Sequence, residues 1–275
     1  MAELDCHAVL LNAEGGGYVA ICPEVHIGSQ GGSVKEAVAN LREAAELYLE
    51  ARPDECPQGE TVGEASIKPL TVSVDENACG MDCKLPALSG GEIGSVLEKL
   101  GYAFDRKSGN HMIYHHDYED AYGRHHNTAI VPDAKKVYPG ALYWVLSGGG
   151  CTKNEFLEKA KPGYVAPLPF PPTEPQPADA EDHGPYSERS GKMKEIQVNA
   201  VLLNDAEGGW YVPINAETGA VSQGETVEEA LAMVRDCTEG AIEYSPEQCP
   251  RGETVGVGII KPMKVAVDAS ILADE

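Results

Sequence analysis

The chain has 275 residues, 42% of them hydrophobic and 6% aromatic, with 44 acidic against 21 basic side chains and a net charge of −23. That length suits two or three small domains, each with a core of its own. The charge argues against nucleic-acid binding by the molecule as a whole, which leaves DNA an unfavoured partner, and no run approaches the roughly 18 to 20 apolar residues that span a bilayer.

In chain order, the acidic start Met1-Ala2-Glu3-Leu4-Asp5 is unlike a signal peptide. It makes the cytoplasm the expected location and reduced thiols the expected state of the eight cysteines. Cys6, Ala8 and Leu10 alternate as in a strand, Glu14-Gly15-Gly16-Gly17 is a turn, and Tyr18 to Cys22 returns as a second strand that Pro23 ends. A third extended segment runs from Ile27 to Gln30. Ser33-Val34-Lys35-Glu36 has the form of a capping box, and Val34, Ala37, Val38, Leu41, Ala45 and Tyr48 then follow along one helical face. Thr61 to Val74 supplies a last strand, so residues 1–78 read as a β-β-β-α-β domain. Cys79 and Cys83 form a C-x3-C pair, a weak metal signal because no second cysteine pair lies nearby.

Residues 82–161 read differently. Ser89-Gly90-Gly91-Glu92 is another capping box, opening a short amphipathic helix through Ile93, Val96, Leu97 and Leu100 that Gly101 stops. Strands are expected at Tyr102 to Arg106, Asn110 to His116 and Asn127 to Val131, with Lys107-Ser108-Gly109 turning between the first two and an acidic loop from Asp117 to Arg124. Pro139 and Gly140 open a further helix and Thr152 to Glu155 caps a last one, giving the order α-β-β-β-α.

Residues 162–192 hold eight of the nineteen prolines, the composition of a semi-rigid linker that reaches up to about 90 Å at ~3.1 Å per residue. Residues 193–275 repeat the first domain. Ala8-Val-Leu-Leu-Asn12 recurs at 200–204, Cys56 to Gly63 recurs at 249–256 with Arg251 for Gln58, and Ile67-Lys68-Pro69 recurs as Ile260-Lys261-Pro262. The offset changes from 192 to 193 at Asp205, so one inserted residue aligns the two copies. The second hairpin, with Pro213-Ile214-Asn215-Ala216, is read as lacking the Pro23-Glu24 pair of the first. Met81 and Met193 each resemble the start of a separate protein, as if three adjacent genes were read as one.

Charge follows this division. Residues 1–83 carry 4 basic and 15 acidic side chains, residues 162–275 carry 7 and 20, and residues 84–161 carry 10 and 9 with five of the eight histidines. An acidic module can imitate a phosphate backbone and cover a nucleic-acid site. Arg106, Lys107, Asn110, Lys135 and Lys136 are the candidate RNA contacts. His115, His116, His125 and His126 offer an alternative, a metal site: a hairpin symmetric about Asp120–Ala121 sets His115 against His126 and His116 against His125. The competing reading of these four is a solvent-exposed strand end.

The stretch Lys84 to Tyr102 resembles the opening helix of HicA toxins, and Gly109-Asn110-His111 sits where that family has Gly-Ser-His. Ile130-Val131-Pro132, Pro139 to Leu142 and Thr152 to Leu157 continue the likeness over 84–160. The flanks resemble HicB antitoxins through Gly16 to Ala20 with Pro23-Glu24, Gly32 to Val38, and Gly224 to Leu231. The resemblance implies an α+β chain, with a central domain like a double-stranded-RNA-binding domain between two partial ribonuclease-H-like domains. It further implies a metal-independent mRNA endoribonuclease without cofactor, His111 as its catalytic residue, and an intramolecular antitoxin–toxin contact that masks it. A histidine suits both proton transfers of RNA cleavage because it titrates near neutrality; a relic or an ordinary packed histidine are the competing readings. Asn110 in place of serine, Asp133 after Val131-Pro132, and the acidic loop depart from the family pattern. Homo-oligomers through the HicB-like domains, a catalytically dead binding or assembly protein, and release of the nuclease by proteolysis within the linker are further expectations. HicB proteins often carry a DNA-binding segment that neither copy here continues into.

Overall fold

The structure, a computed structural model, describes residues 2–57, 62–76, 84–120, 123–164, 192–205, 209–251 and 254–269; the Cys79–Cys83 pair and most of the proline-rich segment lie outside them. It is a mixed α+β molecule with three antiparallel sheets. The first repeat consists of β1 (Ala2–Ala13), β2 (Tyr18–Cys22), β3 (Ile27–Gly31), α1 (Val34–Ala51) and β4 (Val62–Asp75). The centre consists of α2 (Gly90–Lys99), β5 (Ala103–Ser108), β6 (His111–Asp120), β7 (Gly123–Pro132), α3 (Pro139–Gly148) and α4 (Lys153–Ala160). The second repeat has β8 (Met193–Asp205), β9 (Tyr211–Asn215), α5 (Val227–Tyr244) and β10 (Thr254–Val267). No described helix is long and apolar enough to cross a membrane.

Helix starts are set by side-chain caps. Ser89 and Thr152 form closed capping boxes with Glu92 and Glu155. Ser33 and Thr226 also accept from the N3 amide, but their partner glutamates reach one residue further back: Glu36 takes the Gly32 N–H and Glu229 the Glu225 N–H. The box read at Ser33 is therefore half of one.

The repeats exchange their last strands. β10 of the second copy pairs with β1 of the first, from Ala2↔Val267 to Ala13↔Thr254, while β4 of the first pairs with β8 of the second, from Val62↔Asp205 to Asp75↔Met193. The sheets run β10-β1-β2-β3 and β4-β8-β9. Cores follow the exchange. Cys6, Ala8, Leu10 and the α1 residues Ala37, Leu41 and Ala45 enclose Met263, Val265 and Val267, whereas Leu70, Val72 and Val74 pack with Val198, Ala200, Val234 and Ile242. Neither repeat closes a core from its own stretch of chain alone. The third strand expected in the second copy is reduced to two bridges, Tyr211↔Gly224 and Ile214↔Val221, at the positions where β2 and β3 pair continuously. Nor does the second copy lack the hairpin glutamate. Glu217, the equivalent of Glu24, accepts from the Asn199 backbone and side chain at 2.8 and 2.7 Å.

The other face of the first sheet carries the centre. Alternation sends Val9, Leu11, Val19 and Ile21 away from α1 and into a cluster with Ile93, Leu97, Leu142, Trp144 and Phe156. Trp144 on α3 is wedged between the repeats: its indole N–H donates to Ala216 O at 2.9 Å, while its Cβ fills the space beside Gly28, where an added Cβ would sit 2.5 Å away.

Candidate functional site

His111 opens β6 directly after a turn at Gly109 and Asn110, pairing with Ser108 and Pro132 in the central sheet. Gly109 has φ +50°, and a Cβ there would fall 2.0 Å from Glu43 Oε1, so glycine is needed for the approach of α1 as well as for the turn. His111 is fully buried. Both groups that meet its ring belong to the first repeat: Nε2 lies 3.0 Å from Ser29 Oγ on β3, and Nδ1 lies 3.3 Å from Glu43 Oε1 on α1. That carboxylate oxygen also accepts the Asn110 N–H at 2.8 Å, and Glu43 is the charge beside Nδ1 that would favour its protonation. Burial pulls the His111 pKa below its ordinary value and Glu43 opposes this only in part, which leaves the imidazole neutral near pH 7.

Further polar contacts surround the ring. Asn110 Nδ2 donates to Asn40 Oδ1 at 3.2 Å, and Asn40 Nδ2 donates to Gln30 O at 2.8 Å. The Gln30 amide reads backbone on the central domain, donating to Lys136 O at 2.7 Å and accepting from the Tyr138 N–H at 2.6 Å. Arg106 bridges Glu50 on α1 at 2.9 Å and its neighbour Asp105 at 2.7 Å. Lys107 is paired with Asp133, so the aspartate that departs from the family pattern neutralises a candidate RNA contact. Lys135 is exposed. Lys136 extends over the Tyr138 ring, 5.8 Å from its centroid, and adds to the field that lowers Glu14, whose main partner is Lys84. The structure thus buries His111, sets the exposed Asn110 and Arg106 against the first repeat, and engages Lys136 through its carbonyl, while Lys107 pairs with Asp133 and Lys135 is exposed.

Ser29, Gln30, Asn40 and Glu43 were not singled out in the sequence. A signal for two of them existed, because Ser29-Gln30-Gly31 recurs as Ser222-Gln223-Gly224.

The four-histidine cluster does not form as the symmetric hairpin required. β6 and β7 extend into the expected acidic loop as far as Asp120 and Gly123, and the register is shifted by two residues, with His115 opposite Thr128, His116 opposite Asn127, Tyr118 opposite His125 and Asp117 opposite His126. Local pairing drives the shift: Tyr118 stacks on His125 with centroids 4.7 Å apart, and His126 is hydrogen-bonded to Asp117. His115 and His126 stack at 5.0 Å on one face, while His116 lies against Tyr102 and Tyr118 on the other. Among the described residues, the one group with metal-ligand spacing is Cys6, Cys22 and Glu24.

Comparison with family models, with curated proteins and with solved structures finds no match for this chain. What the fold and the site define is a three-part α+β chain in which a hairpin histidine is sealed by an acidic, strand-exchanged repeat.

Proposed function

We propose that the chain is a self-inhibited fusion of the HicA/HicB kind: a latent, metal-independent endoribonuclease at 82–161, with His111 as its proton-transferring residue and the first acidic repeat as its inhibitor in cis. On this reading the centre has a double-stranded-RNA-binding-domain-like fold, the flanks are partial ribonuclease-H-like folds, and mRNA is the partner once the mask opens. The observation that carries the reading is that the buried His111 ring meets Ser29 and Glu43 of the first repeat at its two nitrogens. A nuclease histidine needs access to a 2′-hydroxyl, and a neutral imidazole is the form that accepts its proton. Ser29 and Glu43 together deny the access while the ring stays neutral.

The test uses the full chain, because the central core is shared with both repeats. Gln30→Arg with Glu43→Arg removes the backbone clamp and sets a cation against His111. Cleavage of single-stranded RNA is expected to rise at least tenfold, to vanish when His111→Ala is added, and to be insensitive to a chelator. A metal-dependent hydrolase, a third alternative, predicts instead that a chelator abolishes cleavage. A second reading, a binding or assembly protein without catalysis, is favoured by the Lys107–Asp133 and Arg106–Asp105 pairs, which use up cations that RNA would need. A folded double variant with exposed His111 and no cleavage decides for it.

A further inference from the structure

The two repeats act as controls for one another, and one group of side chains in the first has no counterpart in the second. In both copies a part-buried glutamate ties the hairpin to the first strand. Glu24 Oε1 accepts the His7 N–H at 3.1 Å and meets His7 Nδ1 at 2.7 Å, as Glu217 receives Asn199 in the second copy. That tie belongs to the fold. Cys56 and its equivalent Cys249 are likewise shared and buried. Cys6 and Cys22 are different: their equivalents are Val198 and Asn215, so the repeat folds without thiols there. They occur only where both flank the glutamate. Cys22 Sγ lies 3.3 Å from Glu24 Oε2, the oxygen His7 leaves unused, and the Cys6, Cys22 and Glu24 donor atoms all lie within 4.8 Å of one another.

We propose that Cys6 Sγ, Cys22 Sγ and Glu24 Oε2 form a binding site for a thiophilic divalent cation of the zinc class, with His7 as the outer hydrogen-bond partner of the carboxylate. Two thiolates and one carboxylate match the donor preferences of such an ion. Bonds of ~2.3 Å from metal to sulfur in a tetrahedral site put the two sulfurs about 3.8 Å apart, inside the observed ceiling. Each thiol gives its proton to solvent as its sulfur–metal bond forms, so one ion enters and two protons leave. The ionised glutamate and two thiolates leave a net charge of −1 around the ion, and His7 steadies the carboxylate from outside, the arrangement that fixes ligand orientation in metal sites. The His7 side chain is 15% exposed and Glu24 only 3%, so the site lies one side chain beneath the surface. The fourth position falls to water.

The test titrates the reduced, metal-free full chain with cobalt(II), then with zinc(II). One equivalent of cobalt is expected to give a thiolate-to-metal charge-transfer band that zinc then bleaches. Cys6→Val places the second repeat's own residue in the first and abolishes the band; Cys22→Ser does the same should Cys6→Val fail to fold. His7→Ala weakens binding about 10- to 100-fold, and Cys56→Ala leaves it unchanged. Absence of the band overturns the proposal, as does cobalt uptake without the band, which marks binding at the exposed His126–Asp117 pair. A band that survives both cysteine substitutions in folded protein overturns it equally.

Discussion

Ser29 and Glu43 flank the two nitrogens of His111, Ser29 Oγ at 3.0 Å from Nε2 and Glu43 Oε1 at 3.3 Å from Nδ1. Because burial is the larger influence, the folded chain holds His111 below its ordinary pKa of 6.5. The unfolded chain therefore binds a proton there that the folded chain refuses. Stability from this residue is fully present above about pH 6.5 and is lost as pH falls through the lower, folded value. The urea midpoint of the native chain should fall between pH 7.5 and 5 more steeply than that of His111→Asn, which has no proton to take up. Parallel profiles for the two proteins would mean that the ring is not held neutral by the closed interface.

At the scale of elements, the question is why β3 and α1 of the first copy, rather than their equivalents, cover the centre. The polar readers are present in both, since Ser222, Gln223 and Asp236 match Ser29, Gln30 and Glu43. The apolar contour is not. Gly28 admits Trp144 and Gly17 admits the Tyr138 hydroxyl, with added Cβ atoms at 2.5 Å in each case, whereas the second copy has exposed Val221 and Trp210 there and exposed Met233 in place of Asn40. Gly28→Val forces a side chain into the Trp144 Cβ and should weaken the contact by roughly 1 to 3 kcal/mol, the usual cost of overpacking. Diethylpyrocarbonate modification of His111, mapped by mass spectrometry, should rise in Gly28→Val and stay at the native level in Val221→Gly. Equal protection in both would show that the contour does not choose the masking copy. The sequence made the local features legible: the repeat, the caps at Ser89 and Thr152, the turn that delivers His111, and the alternation of β1. These depend on a few neighbouring residues. The masking copy and the exchanged strands depend on contacts between distant segments, such as Trp144 with Gly28, that periodicity does not encode, and the two-residue shift of the β6–β7 hairpin depends on cross-strand pairs such as Tyr118 with His125 that a symmetric turn does not reveal.

The whole molecule is held by the exchange more than by chain connectivity, and this changes how masking could end. Both repeats are strongly acidic, so their mutual repulsion must be outweighed by the two long antiparallel ladders and the apolar rows behind them. Cleavage within the proline-rich segment separates the parts only if each copy closes its own domain. With β10 seated against β1, and β4 against β8, the fragments on either side of such a cut each contribute a strand to the other's sheet. Separation would strip Met263, Val265 and Val267 from the first core and Leu70, Val72 and Val74 from the second; at about 25 cal/mol per Å² of apolar surface, six such side chains amount to several kcal/mol even before hydrogen bonds are counted. A chain cut at a protease site introduced within residues 165–191 should therefore elute as one particle of the intact 29.3 kDa mass, keep His111 protected from modification, and come apart only in denaturant. Two separate peaks under native conditions would mean that the ladders do not hold the halves together, and would restore linker proteolysis as a trigger for the proposed nuclease.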